Sequence, residues 1–196
     1  MNTTVKIVIT GGPGGGKTTA IDLFRREFLD KVSVVPESAT TIFSSGIRRS
    51  KEIEEVKATQ LTIFNLQKNM ESLVKIQNPT HSLICDRGTL DGLAYWPNSE
   101  KSFFDTINSS FEEELNSYSA VIFFETAARE GADITSNNPY RTEDNLKAIE
   151  LDTKLKNIWD KHPNFYLIKS NEAFIDKVSC GVKTIQSVLR SLNTSP

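Results

Sequence analysis

The sequence predicts an α/β fold in which a doubly wound parallel β-sheet carries helices on both faces. Five short apolar segments, typical of buried strands, alternate with stretches whose apolar residues recur at helical spacing. The predicted strands are 5–9, 32–36, 82–86, 120–125 and 165–169. The intervals between them are long enough for the crossover helices that parallel strands require. Residues 1–196 are expected to form a single domain, because this length is ordinary for one.

A glycine-rich loop follows the first predicted strand. Residues 9–19 read ITGGPGGGKTT and match the P-loop pattern G-x-x-x-x-G-K-[ST]. A chance match is the alternative, but helical spacing from Ala20 to Phe28 supplies the strand–loop–helix context that favours phosphate binding. Lys17 can reach the β- and γ-phosphates, and the Thr18 hydroxyl can ligate Mg²⁺. The candidate nucleotide-binding residues are Gly11, Gly12, Pro13, Gly14, Gly15, Gly16, Lys17, Thr18 and Thr19.

Acidic residues follow the second and third predicted strands, at the sheet edge where doubly wound folds bind ligands. Glu37 follows the second strand, and Asp86 closes the third in the manner of a Walker B strand, which makes it a candidate Mg²⁺ ligand with Thr18. Each acid also has a structural interpretation. Glu37 could cap a helix or face solvent, and Asp86 could pair with Arg87 or cap the following segment. Lys17, Glu37, Asp86 and Arg87 are therefore candidate catalytic residues.

A segment rich in glycine, asparagine and aspartate follows the fourth predicted strand, between Arg129 and Arg141. We interpret residues 127–141 as a mobile lid that brings both arginines to the phosphates, where they would stabilise charge developing during phosphoryl transfer. Ordinary solvated surface arginines are the alternative.

Composition narrows the functional classes. The formal net charge of −2 gives no basic footprint for nucleic acid. No apolar run is long enough for a membrane span, and no secretory signal precedes the glycines, so we expect a cytoplasmic protein. Cys85 lies in an apolar strand and is expected to be a core residue, and it need not pair with Cys180.

The order of these motifs resembles the nucleoside and nucleotide kinase group of P-loop proteins, and within it the NadR/Ttd14-like family of AAA-type ATPase/kinase domains. The matching pieces are residues 10–19, 35–39, 85–88 with 91–96, and 138–141. The resemblance implies a three-layer α/β/α P-loop NTPase fold with a lid and a five-stranded sheet of order 2-3-1-4-5. It also implies that Lys17 and Thr18 serve phosphate and Mg²⁺, and that Glu37 and Asp86 face the reacting centre. One acid would deprotonate an acceptor hydroxyl and the other would hold metal-bound water, while Arg87 and Arg141 contact phosphates or acceptor.

Two functions fit these features best. The first is a Mg²⁺-dependent kinase that transfers the γ-phosphoryl group of ATP to a small, nucleoside-like acceptor; the second is a nucleotide-hydrolysing regulatory ATPase or GTPase without an acceptor. A phosphatase-like NTPase is a third. The chain lacks the Asn-Lys-x-Asp and Asp-x-x-Gly motifs of GTPase switches, although GTP stays an alternative donor. The acceptor, the division of work between Glu37 and Asp86, and the oligomeric state are left open.

Overall fold

A computed structural model describes residues 5–28, 31–131, 145–170 and 173–193. All five predicted strands are present, with ends within one residue of the predictions. They are β1 (Lys6–Thr10), β2 (Val32–Val35), β3 (Ser82–Asp86), β4 (Ala120–Phe124) and β5 (Phe165–Ile168). Every neighbouring pair is parallel and the order is β2-β3-β1-β4-β5, which confirms the predicted α/β fold and its strand order.

The helices occupy the intervals between the strands. The described α-helices are α1 (Lys17–Glu27), α2 (Ser38–Ser44), α3 (Ile53–Gln77), α4 (Glu100–Ile107), α5 (Phe111–Asn116), α6 (Asn145–Trp159) and α7 (Phe174–Asn193). Two 3₁₀ helices, Thr89–Tyr95 and Ala127–Glu130, follow β3 and β4. The second of these begins the predicted lid, but residues 132–144, including Arg141, lie outside the described residues. Among the helices in the described ranges, none is both long and apolar enough to cross a bilayer.

The core forms on both faces of the sheet because successive strand residues point to opposite sides. Ile7 and Ile9 pack toward α1 and α7, where they meet Phe24 and Ile185. Val8 lies on the other face in a cluster that includes Cys85, Leu90, Val121, Ile158 and Trp159. Cys85 is therefore the predicted core residue, and burial raises the pKa of its thiol well above the ordinary value.

The parallel strands all end at one edge, and this edge carries the glycine-rich loop. Gly11 follows β1 with φ 129°, and a Cβ there would lie 2.0 Å from the carbonyl oxygen of Phe124. Gly16, the N-cap of α1, has φ 89°. Only glycine tolerates both the close approach at Gly11 and the positive φ angles without strain. The loop therefore turns tightly over the end of β4 and delivers Lys17 and Thr18 in the first turn of α1.

Candidate active site

A cleft of about 420 Å³ opens at the carboxyl edge of the sheet. Residues 13–19 of the glycine-rich loop line one end, together with Phe174 from the start of α7. Glu37, Asp86 and Arg87 line the same cleft, as does Asp91 in the 3₁₀ helix after β3. Gly11 and Gly12 are not part of the lining; their carbonyl groups instead bond to side chains of the site. Four predicted catalytic residues, Lys17, Glu37, Asp86 and Arg87, thus lie together.

Lys17 folds back over the loop that precedes it. Its Nζ donates to the carbonyl oxygens of Gly11 at 3.0 Å and Gly12 at 2.8 Å. Burial lowers the pKa of Lys17 to about 7, and the neighbouring Arg87 acts in the same direction, although nearby carboxylates oppose both. A phosphate on the loop would offer this buried ammonium a full negative charge in place of two carbonyl dipoles.

Arg87 joins three parts of the site. Its Nη1 donates to the carbonyl of Gly11 at 2.6 Å and to Oδ2 of Asp91 at 3.1 Å, and its Nε pairs with Oε1 of Glu37 at 3.3 Å. Arg87 thus pairs with Glu37 and Asp91, and not with Asp86 as the structural interpretation of Asp86 expected. The φ angle of Arg87 is 75°, a conformation that costs a non-glycine residue about 1–3 kcal/mol.

The two acids have different surroundings. Burial would raise the pKa of Glu37, but Arg87, a 2.5 Å hydrogen bond from Thr40 and the charge of Lys17 together hold that pKa below its ordinary value. Burial and the charge of Glu37 raise the pKa of Asp86 to about 6. Glu37 occupies the N-cap position of α2 without a capping bond from its side chain, so the simple capping role does not apply. The fold therefore shifts the two acids in opposite directions, because it lowers the pKa of Glu37 and raises the pKa of Asp86.

Thr18 and Asp86 fit the requirements of Mg²⁺, which prefers oxygen ligands and keeps waters and phosphates in its shell. Both line the cleft, and neither side chain makes a hydrogen bond within the described residues. Residues 5–28, 31–131, 145–170 and 173–193 contain no cluster of three or more histidine, cysteine, aspartate or glutamate residues that could hold a metal by themselves. An ion here would depend on these two side chains and on bound phosphate.

Aromatic side chains from α2, α3 and the first 3₁₀ helix also line the cleft, and we call this part of its wall the aromatic chamber, which the sequence did not reveal. Phe43 of α2, Phe64 of α3 and Tyr95 of the first 3₁₀ helix line it, and the guanidinium of Arg49 lies 4.2 Å from the centre of the Phe43 ring. Gln60 also lines it and is only 8% exposed, yet its side-chain amide has no hydrogen-bond partner in the described part of the chain. The sequence feature that could have identified Gln60 as a site residue is its position, as a polar residue, on the apolar face of a long helix.

Two buried aspartates that the sequence did not single out as site residues support this edge of the sheet. Asp91 accepts hydrogen bonds from Thr10 at 2.7 Å and Trp159 at 2.7 Å, in addition to the bond from Arg87. Asp152 of α6 is fully buried, and its Oδ1 accepts from the backbone N–H of Gly12 at 2.9 Å. It thereby ties α6 to the glycine-rich loop.

Arg129 lies apart from the four clustered residues. Its Nε donates to Oδ2 of Asp152 at 3.0 Å, and its Nη2 donates to the hydroxyl of Thr153 at 2.8 Å. It does not contribute to the described lining of the cleft. The catalytic roles of Arg129 and Arg141 stay predictions, since the structure places the first against α6 and does not describe the second.

Solved structures of deoxyadenosine kinase from M. mycoides share this fold. A structure with bound dATP is 15% identical with a TM-score of 0.61, and the match covers 95% of this chain and 99% of that one. A structure with the products dCMP and a flexible dCDP is 12% identical with a TM-score of 0.61, covering 93% and 100%. No curated protein matches the sequence.

The family assignment comes from the sequence itself. A family model described as an AAA domain matches residues 6–174. These residues include β1 to β5 and every described residue of the cleft. The narrower NadR/Ttd14-like assignment stays a prediction. The chain therefore belongs to the AAA domain family and has the fold of P-loop nucleoside and nucleotide kinases.

Proposed function

We propose that this chain is an ATP-dependent kinase that transfers the γ-phosphoryl group to a hydroxyl of a small, nucleoside-like acceptor, within a single domain of residues 1–196. One observation carries the proposal: a single cleft runs from the glycine-rich loop to the aromatic chamber, with Glu37 and Arg87 also in its wall. A nucleotide hydrolase needs only water beside the phosphates, whereas an apolar chamber with a few polar groups is typical of a small-molecule site.

The loop end of the cleft suits the triphosphate. Backbone N–H groups of the loop and the N-terminus of α1 favour an anion, and Lys17 supplies a cation. Thr18 and Asp86 would hold Mg²⁺, which when bound neutralises charge on the phosphates. Phe174 offers an aromatic surface for the nucleotide base beside Gly16. The bound dATP of the M. mycoides enzyme supports ATP as the donor.

The chamber end suits a flat heterocycle that carries a hydroxyl group. The rings of Phe43, Phe64 and Tyr95 supply apolar and aromatic surface, and the amide of Gln60 offers two donors and an acceptor for a polar edge. Glu37, kept ionised by Arg87, would accept the proton of the attacking hydroxyl. Orientation by these groups matters as much as the base, because phosphoryl transfer depends mainly on positioning and charge stabilisation.

A substrate screen tests the proposal. Purified protein is incubated with γ-labelled ATP and Mg²⁺, separately with ribonucleosides, deoxynucleosides, simple sugars and no acceptor. We expect label on one or more nucleosides, little on the sugars, and loss of the transfer in a Gln60→Leu variant. Label released as phosphate at the same rate with and without acceptor would instead indicate the regulatory ATPase or GTPase. From the sequence we still expect a cytoplasmic protein without a nucleic-acid partner.

A further inference from the structure

Gln67 of α3 connects the segments that follow β2 and β3. It is 2% exposed, and its Oε1 accepts a hydrogen bond from the hydroxyl of Ser38 at 2.6 Å. Its Nε2 donates to the backbone carbonyl of Arg87 at 3.2 Å and to Oε1 of Glu71 at 2.9 Å. Both N–H bonds of the amide are therefore used inside the protein, which leaves little capacity for a substrate.

Glu71 fixes the orientation of this amide. Its carboxylate also accepts from Nζ of Lys6 at 2.6 Å and from the hydroxyl of Tyr118 at 2.8 Å, and its side chain is 7% exposed. A carboxylate and a backbone carbonyl can only accept hydrogen bonds, so the NH₂ group of Gln67 must face Glu71 and Arg87. Its carbonyl must then face Ser38. One buried cluster thus specifies which way Gln67 points.

The residues that Gln67 holds are neighbours of the reacting groups. Ser38 directly follows Glu37, and Arg87 directly follows Asp86. The backbone of Arg87 has the strained φ of 75°, and it is fixed by the bond from Gln67 to its carbonyl and by the bond from its N–H to Ile9 at 3.0 Å. The guanidinium of Arg87 then reaches Glu37. Gln67 therefore bonds to Arg87 itself and to Ser38, the residue next to Glu37.

We infer that Gln67 is a positioning residue: it holds the segments after β2 and β3 at the separation at which Arg87 orients Glu37 toward the acceptor hydroxyl. This inference rests on the proposed kinase function. Gln67 lines the cleft, but both N–H groups of its amide are bonded to Glu71 and to the carbonyl of Arg87, so we assign its effect to the placement of Arg87 and Glu37. Its loss should change the rate of transfer while leaving the P-loop end of the cleft intact.

The test compares steady-state kinetics of three variants with wild type, using an acceptor from the screen. Gln67→Met keeps the volume but removes all three hydrogen bonds. We expect kcat to fall about 10- to 100-fold, because small errors in the alignment of reacting groups slow a reaction by about this much. The KM for ATP should stay within about twofold of wild type. Ser38→Ala removes one bond only, and a smaller loss of kcat, about 3- to 10-fold, is expected.

Lys6→Met is the matched control, because it removes the Lys6–Glu71 ion pair from the same cluster but leaves the bonds of Gln67 in place. It should lower the melting temperature and keep the kcat of the folded protein. Equal kcat values in Gln67→Met and Lys6→Met would overturn the inference. If Gln67→Met does not fold, wild-type kcat in Ser38→Ala overturns it. A wild-type protein that transfers to no acceptor contradicts the proposed function itself, and the inference with it.

Discussion

Lys17 is the residue on which nucleotide binding should depend most. We predict that Lys17→Ala loses the thermal stabilisation that Mg²⁺-ATP gives the wild-type protein, while the variant without nucleotide melts nearly as before. Binding at 100 times the Kd stabilises a folded protein by about 2.7 kcal/mol, or about 5–10 °C in a chain of this length. Thermal melts with ATP and GTP check this, and equal shifts in variant and wild type would contradict the phosphate-binding role.

Asp86 should link stability to pH. Its pKa of about 6 in the folded chain lies above the ordinary 3.8, so between these values the folded state holds a proton that the unfolded state has lost. The free energy of unfolding therefore falls as the pH rises through this range. We predict that Asp86→Asn removes this fall and is more stable than wild type at pH 7, by about 3 kcal/mol. Urea unfolding of both proteins from about pH 4 to 8 measures the effect.

The same Asp86→Asn variant should lose function as it gains stability. If Asp86 holds Mg²⁺, its amide replacement weakens the Mg²⁺ dependence of nucleotide binding and slows transfer and background hydrolysis alike. Identical pH profiles of stability in the two proteins would show that the Asp86 carboxylate is not destabilised by the fold. Unchanged Mg²⁺ dependence would separately remove it from the metal site.

Glu37 should affect the acceptor reaction alone. We predict that Glu37→Gln binds Mg²⁺-ATP with nearly wild-type affinity but loses acceptor-dependent turnover by about 10²–10⁴-fold, the usual effect of removing a general base. Titration of nucleotide binding beside steady-state kinetics separates the two. Loss of Mg²⁺-nucleotide binding in Glu37→Gln, with binding intact in Asp86→Asn, would reverse the roles of the acids.

Residue-level features were predictable where local sequence determines chemistry. The loop glycines, Lys17 and Thr18 follow one another in a motif, and the strand-end position of Glu37 and Asp86 follows from parallel topology. Gln60, Asp91 and Asp152 were missed because tertiary packing, and not local sequence, places them at the site. Asp152, for example, bonds to Gly12, and the two residues are 140 positions apart. The bond between Arg129 and Asp152 was likewise not visible from the segment that contains Arg129.

At the scale of elements, strands were easier to predict than short helices. Each strand is a compact apolar run that must be buried, so β1 to β5 agree with the sequence pattern. The helices α2, α4 and α5 have 7, 8 and 6 residues, too few to show helical periodicity clearly. The capping box of Ser110 and Glu113 in α5 was the local signal available for that helix.

The attachment of α6 to the glycine-rich loop gives a prediction at this scale. Asp152→Ala leaves the N–H groups of Gly12 and Thr126 and the guanidinium of Arg129 without their carboxylate. We predict a loss of about 3 kcal/mol in the free energy of unfolding and weaker nucleotide binding. Glu150→Gln, on the same helix but in an exposed pair with Lys154, is the control and should match wild type. Wild-type nucleotide affinity in a folded Asp152→Ala chain would show that the loop holds its shape without α6.

The fold as a whole brings the phosphate-binding loop with its acids, and the aromatic chamber, to one edge of the sheet. The glycine-rich loop after β1 and the acids after β2 and β3 meet because parallel strands end together, and α2 and α3 add the aromatic chamber beside them. The sequence predicts the first arrangement from topology. The chamber depends on how helices far apart in the chain pack, which no local pattern specifies.

The most direct test of the kinase proposal measures ADP and phosphorylated acceptor in the same reaction, with Lys17→Ala as the inactive control. The kinase account predicts that the two products form one to one and that almost no ADP forms when the acceptor is left out. Closure of the chamber around an acceptor would exclude water from the phosphates and so explain this dependence. ADP and free phosphate formed at equal rates with and without acceptor would contradict the account and leave a nucleotide-hydrolysing regulator in its place.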